Sequence, residues 1–141
     1  MKEREAPATG PLLLGPQIWL GVPVPEVLAS PTIVPAAGEP PKEIAEFAGN
    51  ASTGDDAFSV ARMRTEAGWV EPAQVAQFDE LTYVISGEVH VEHDEGVEQV
   101  EAGQAVLVRA GERVRYSTPS PAEYVALCVP AFAVSRVRPD G

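Results

Sequence analysis

The chain has 141 residues, enough for one domain with a sizeable core. Its formal net charge of −11 argues against nucleic acid or an anionic membrane as partner, because both are held by basic patches. One cysteine, Cys128, excludes an internal disulfide. No apolar run approaches the ~20 residues that span a bilayer, and no apolar signal region follows the charged start MKEREAP, so the cytoplasm is the expected compartment.

Residues 1–56 read as a proline-rich N-terminal arm. Proline fixes φ and removes backbone donors, so this arm is expected to be extended. Leu12, Leu13, Leu14, Ile18, Trp19, Leu20, Val22 and Val27 give it apolar surface. That surface suits either a partly ordered tail or an arm packed on its own barrel or on a neighbour's. Pro41 is placed to open a short helix through Glu43, Ile44, Ala45, Glu46 and Phe47, with Gly49 ending it. The domain proper, 57–134, then reads as strand after strand. The segments are 58–65, 73–78, 81–86, 88–93, 97–101, 105–108, 114–117 and 123–129, punctuated by turns such as Asp94-Glu95-Gly96. Short strands at regular spacing predict an all-β sandwich or jelly roll. Residues 135–141 form a C-terminal tail.

Two glycine-framed stretches, GWVEPAQVAQFDELTYVISG at 68–87 and GQAVLVRAGERVRYST at 103–118, resemble the paired motifs of the cupin family. In the first motif, G-x5-H-x-H-x3-E-x6-G, Gly68, Glu80 and Gly87 fall in register, while Gln74 and Ala76 stand where the histidines belong. In the second, G-x5-P-x-G-x2-H-x3-N, Gly103 and Gly111 fit. Arg109, Val114 and Thr118 replace the proline, the histidine and the asparagine. The resemblance implies a single cupin-type jelly-roll β-barrel. It also implies that the usual metal centre of three histidines and one glutamate is absent. The whole chain has two histidines, His90 and His93, and neither occupies a motif position.

Within the cupin family the segments FDELTYVISGEVHV at 78–91, VEAGQAVLVRAGERVRYSTP at 100–119 and AEYVALCVPAF at 122–132 are similar to the cupin proteins of ethanolamine-utilisation operons. Those proteins too lack the usual histidines. They are linked to acetate kinase activity and to bacterial microcompartments. No glycine-rich phosphate loop followed by lysine occurs here, however, and the only lysines, Lys2 and Lys42, are expected outside the barrel.

The candidate site follows from strand alternation. Glu80, Thr82 and Val84 share one face, which the cupin frame makes inward, with Gln74, Ala76, Val114, Tyr116 and Thr118 approaching it. A carboxyl buried there suits general acid–base work, so Glu80 and Tyr116 are the candidate catalytic pair. A structural hydrogen-bond network is the competing reading for Glu80. Gln74, Glu71, Arg62, Arg64 and Thr82 are candidate substrate-binding residues, with Glu71 at the barrel mouth. Arg113 and Arg115 are expected to face outward, and Asp79 to point away from Glu80. His90 and His93 alternate to opposite faces, and Cys128 reads as a small core hydrophobe.

Three functions compete. The first is a non-redox enzyme of isomerase, cyclase or lyase type acting on a small molecule without cofactor or metal. The second is an atypical metalloenzyme holding a hard ion through Glu80 and Gln74. The third is a binding or assembly module. Barrel-edge pairing into a homodimer is expected.

Overall fold

The computed structural model describes residues 13–14, 18–19 and 23–139. Its strands in chain order are β1 (Leu13–Leu14), β2 (Ile18–Trp19), β3 (Thr32–Val34), β4 (Glu43–Ala48), β5 (Ser59–Thr65), β6 (Trp69–Val70), β7 (Gln74–Ala76), β8 (Asp79–Ser86), β9 (Glu88–His93), β10 (Gly96–Glu101), β11 (Ala105–Val108), β12 (Arg113–Thr118), β13 (Ala122–Val129) and β14 (Val137–Pro139). A 3-10 turn, Val134–Arg136, precedes β14. No helix among the described residues is long and apolar enough to cross a membrane.

β1 pairs with β2 in a two-stranded ribbon, and the other twelve strands form two six-stranded sheets. One has the order β11-β8-β13-β5-β4-β3; the other runs β10-β9-β12-β7-β14, with β6 added beside β12. All pairings within them are antiparallel. The core lies between the sheets. Val84, Val108, Ala122 and Tyr124 from the first meet Trp69, Val89, Val91, Val100, Val114 and Tyr116 from the second. Period-two alternation makes this possible: on β13, Ala122, Tyr124, Ala126 and Cys128 are buried while Glu123, Val125, Leu127 and Val129 face outward. The architecture is the all-β jelly roll that the glycine frame implies.

Gly87 shows why that frame uses glycine. It adopts φ 77°, and a Cβ there would stand 2.3 Å from the Pro121 carbonyl oxygen and 2.8 Å from Ala122 Cα. Only a residue without Cβ lets β8 turn into β9 so close to the neighbouring loop.

The N-terminal expectations need correction. The segment through Glu43, Ile44, Ala45, Glu46 and Phe47 is not a helix but strand β4, paired with β5 through Ile44↔Met63 and Glu46↔Ala61. Helix signals at Pro41 and Gly49 are local, and the open edge of β5 outweighs them by offering a full ladder of backbone partners. β3 adds outside β4, so the barrel sheet begins well before residue 57. That part of the arm packs on its own barrel. Leu12, Leu20, Val22 and Lys2 lie outside the described residues. At the other end the tail contributes β14, paired with β7 through Val137↔Ala76.

Candidate active site

A cavity of ≈ 470 Å³ opens between the sheets, within the size range of ligand pockets. Its body is apolar, built from Val34 and Pro35 before β4, Ile44 on β4, Ala61 and Met63 on β5, Phe78, Ala126 on β13, and Phe132, Val134 and Val137 near the C-terminus. Its inner end is polar. There Lys42, Glu71, Gln74 and Glu80 converge, and a recess of ≈ 30 Å³ continues from them to Tyr116 and Tyr124.

Each polar group is delivered by a definable element. Glu80 sits on β8 in the same inward file as Thr82 and Val84, and Tyr116 comes from β12 in the opposite sheet. The Tyr116 hydroxyl donates to Glu80 Oε1 at 3.2 Å, and the Cys128 thiol also reaches Glu80. Glu71 follows β6 and is anchored by its backbone N–H, which donates to the Tyr116 carbonyl at 3.2 Å. Its side chain is buried, and its Oε2 has no hydrogen-bond partner.

Lys42 enters just before β4. Its Nζ donates to the Tyr124 hydroxyl at 3.1 Å and lies 4.1 Å from the centroid of the Trp69 ring. The segment before it is strapped to β6. Trp69 Nε1 donates to the Ala37 carbonyl at 3.2 Å, and Glu39 and Val70 exchange backbone hydrogen bonds of 3.0 and 2.9 Å. Gly38, at φ 103°, fits against this strap only because it has no Cβ, which would stand 2.5 Å from Trp69 Nε1.

Burial governs the protonation of this cluster. It pushes Glu71 up to about 7, with the Lys42 charge opposing and the Glu80 charge adding. It raises Glu80, against the Lys42 charge and the hydrogen bonds from Tyr116 and Cys128. It lowers Lys42, against both carboxylates. It holds Tyr116 and Tyr124 well above the usual phenol range, reinforced by the charges of Glu80 and Glu71. The Cys128 thiol is likewise raised by burial and then by Glu80, so it is not an activated nucleophile.

The structure thus brings together Glu80, Tyr116, Gln74 and Glu71. Glu71 lies inside the cavity rather than at an open mouth. Thr82 is fully buried and does not line the cavity. Arg62 and Arg64 are corrections: β5 turns Ser59, Ala61, Met63 and Thr65 inward, so both arginines face out. There Arg62 pairs with Glu123 at 3.8 Å, and Arg64 with Glu123 and Glu43. The placement of Lys42 is a second correction. It was expected outside the barrel, yet its ammonium lines the cavity wall, because residues 43–48 form a strand whose alternation turns Ile44 and Glu46 inward and carries Lys42 with them. Tyr124, Trp69 and Cys128 also belong to the site. The alternation of Tyr124 with Ala126 and Cys128 on one strand was the available signal for two of them. His90 and His93 are outside it, bonded to Glu88 at 2.6 Å and Glu98 at 2.8 Å. Asp79 points away from Glu80 and accepts from the Ala110 N–H at 2.9 Å.

The usual cupin metal positions do not fit a transition ion here. They present Gln74, Ala76, Glu80 and Val114, with one carboxylate and no imidazole, beside the Lys42 ammonium. Among the described residues no group of three or more His, Cys, Asp or Glu side chains is placed to hold an ion.

The family description "Cupin domain" matches residues 61–130. With the jelly-roll fold and the glycine frame, this establishes that the chain belongs to the cupin superfamily. Its fold is shared with ethanolamine utilization protein Q of Salmonella typhimurium, at TM-score 0.59 and 16% identity over 72% of this chain and 97% of that one. It is shared with PAC13 from Streptomyces, a nucleoside dehydratase solved with uridine, at TM-score 0.66 and 16% identity over 84% and 91% of the chains. It is shared also with the polyketide cyclase RemF of Streptomyces resistomycificus, at TM-score 0.67 and 13% identity over 85% and 87%. In sequence, the chain is 42% identical over 93 residues to a Myxococcus xanthus protein named endoribonuclease YbeY. That match takes in 64% of this chain but 32% of the longer relative.

Proposed function

We propose that this cupin binds an uncharged small molecule in its cavity and transforms it by proton transfer, as a non-redox isomerase, cyclase or lyase that needs no metal. The observation that carries this reading is the convergence of two burial-perturbed carboxyls, Glu80 and Glu71, on the polar end of a ligand-sized apolar cavity. A carboxyl titrating near neutrality can both take and return a proton at physiological pH. Glu80 is oriented by the Tyr116 hydroxyl, so it is the acid or base at the reacting carbon. Glu71 lines the same polar end and holds the second proton. Gln74 and Tyr116 supply hydrogen bonds to a substrate oxygen. The apolar body excludes water and strengthens each of these interactions.

The charge balance favours an uncharged ligand. One ammonium faces two carboxyls, and neither arginine of β5 turns toward them. The fold neighbours include a nucleoside dehydratase solved with uridine and a polyketide cyclase. We infer further that the segment shared with the endoribonuclease is not its RNA-cleaving part. An RNA-binding surface gathers lysine and arginine, whereas this chain carries a net charge of −11.

The test is a thermal-shift screen with uridine and other uncharged hydroxylated compounds, followed by NMR of each binder in D₂O. Binding with proton exchange or conversion is expected. Glu80→Gln should retain the fold and the binding and slow turnover by about 10²–10⁴. Binding without exchange or conversion would leave a binding module, and an undiminished rate in Glu80→Gln would remove Glu80 from the chemistry.

A further inference from the structure

Lys42 is a half-buried lysine with a desolvated amine and, among the described residues, no ion-pair partner. Its Nζ is braced by the Tyr124 hydroxyl at 3.1 Å and by the Trp69 ring at 4.1 Å. Among the described residues no carboxylate stands within salt-bridge distance of it, although Glu71 and Glu80 are near enough for their charges to act on it. A lysine that serves only as a surface charge keeps its ammonium in water, whereas this one is turned onto the cavity wall. An anion-binding role fits poorly, because two carboxyls flank the amine and would repel a carboxylate or phosphate ligand. What remains is an amine on the wall of a ligand-sized cavity, with two proton-exchanging groups beside it, the setting in which lysine acts as a nucleophile.

We propose that Lys42 forms a reversible imine with an aldehyde or ketone bound in the cavity. This rests on the reading of the cavity as a ligand site and names the substrate class it takes. The Nζ lone pair attacks the carbonyl carbon and forms the C–N bond. The carbonyl π pair moves to oxygen, which takes a proton from one carboxyl, while the nitrogen gives a proton to the other carboxylate. A second protonation releases the hydroxyl as water, and the nitrogen lone pair completes the C=N bond. Hydrolysis reverses each step, and no oxidant or reductant enters. The imine withdraws electrons from its neighbouring carbon, which makes the C–H there easier for Glu80 to deprotonate. Nucleophile and base therefore serve one reaction.

The experiment uses the full chain and its own internal reference. The only other lysine is Lys2 in the N-terminal arm. The protein is incubated at pH 7 with benzaldehyde and sodium cyanoborohydride, which fixes an imine as a benzylamine, and labelling is mapped on peptides over time. Lys42 should be labelled about a hundredfold faster than Lys2, the lower end of what positioned acid–base groups contribute. In Lys42→Arg, shown folded by circular dichroism, that site should stay unlabelled while Lys2 is unchanged. Labelling of Lys42 no faster than Lys2 overturns the proposal. Because the readout needs no turnover, it separates the two readings. Ligand binding and a Glu80-dependent reaction without Lys42 labelling would refute the imine alone. Fast Lys42 labelling in a protein that converts nothing would refute the catalytic reading and leave the imine standing.

Discussion

Replacing Glu71 by Gln is expected to stabilise the fold at alkaline pH and to do nothing near pH 4.5. The carboxyl is moved from an ordinary value of 4.5 to about 7 by burial, and each unit is worth about 1.4 kcal/mol. The shift therefore represents about 3 kcal/mol. Its sign follows from proton counting. Between pH 4.5 and 7 the folded protein holds a proton on Glu71 that the unfolded chain has released, so stability falls as pH rises through this window and levels off above it. Glutamine is isosteric and cannot ionise. The variant should match the wild type near pH 4.5 and exceed it by up to about 3 kcal/mol at pH 8. Urea unfolding at half-unit intervals from pH 4.5 to 8, with a common m-value, measures the difference directly. A difference that stays constant across the range would show that Glu71 does not titrate there. A variant less stable than wild type at pH 8 would show that its charge is held favourably by Lys42 and that burial is not the dominant influence.

Three further outcomes are expected. Gly87→Ala places a Cβ against backbone in a positive-φ turn and should cost about 3 kcal/mol, seen as a melting temperature lower by roughly 10 °C. Unchanged melting would mean that the Pro121 loop yields freely. Glu46 Oε2 accepts from the Ala51 N–H, the Ser52 N–H and the Ser52 hydroxyl, each at 2.9 Å. Glu46→Ala should therefore cost about 2 kcal/mol and speed amide exchange at Ala51 and Ser52, and unaltered exchange would dismiss the carboxylate as the anchor of that turn. On the outer face, Val60, Leu127, Leu81 and Leu107 lie side by side across β5, β13, β8 and β11, with Tyr83 and Ile85 exposed beside them. We propose that a second copy covers this face, because one apolar sheet face is self-complementary about a two-fold axis. Light scattering should give a dimer mass that Leu81→Lys reduces to monomer, and a monomeric wild type would defeat the proposal.

The barrel was readable because its signals are local and repeated. Segment 88–93 alternates cleanly, 105–108 is a short apolar run, and both are bounded by glycine turns; Glu88–His93 and Ala105–Val108 are strands with those bounds. Glu80 and Tyr116 were readable for a related reason: inward position on a strand is a period-two property, and the glycine frame fixes which face is inward. Arg62 and Arg64 fail that same test. They lie on the file opposite Ala61 and Met63, and only the structure shows which file of β5 faces the cavity. The N-terminal strands were not readable, because EIAEFA carries helix-forming residues. What makes Glu43–Ala48 a strand is the free edge of β5, supplied by residues beyond its own sequence window.

Lys42 was hidden by that same step, and the consequence is chemical as well as topological. A cavity holding Glu80 alone is a carboxyl in an apolar pocket, equally suited to a structural network and to catalysis. Once β4 adds to the sheet, the same cavity holds a desolvated amine between aromatic rings and a second carboxyl with an unpartnered oxygen. A structural network would be expected to satisfy its members, since buried polar atoms without partners are costly. An arrangement that leaves Glu71 Oε2 unpaired and Lys42, among the described residues, outside any ion pair retains that cost. A bound polar ligand engaging Lys42 on the cavity wall would relieve part of it. The cost is thus an argument for a ligand at this end of the cavity, independent of any likeness to other cupins.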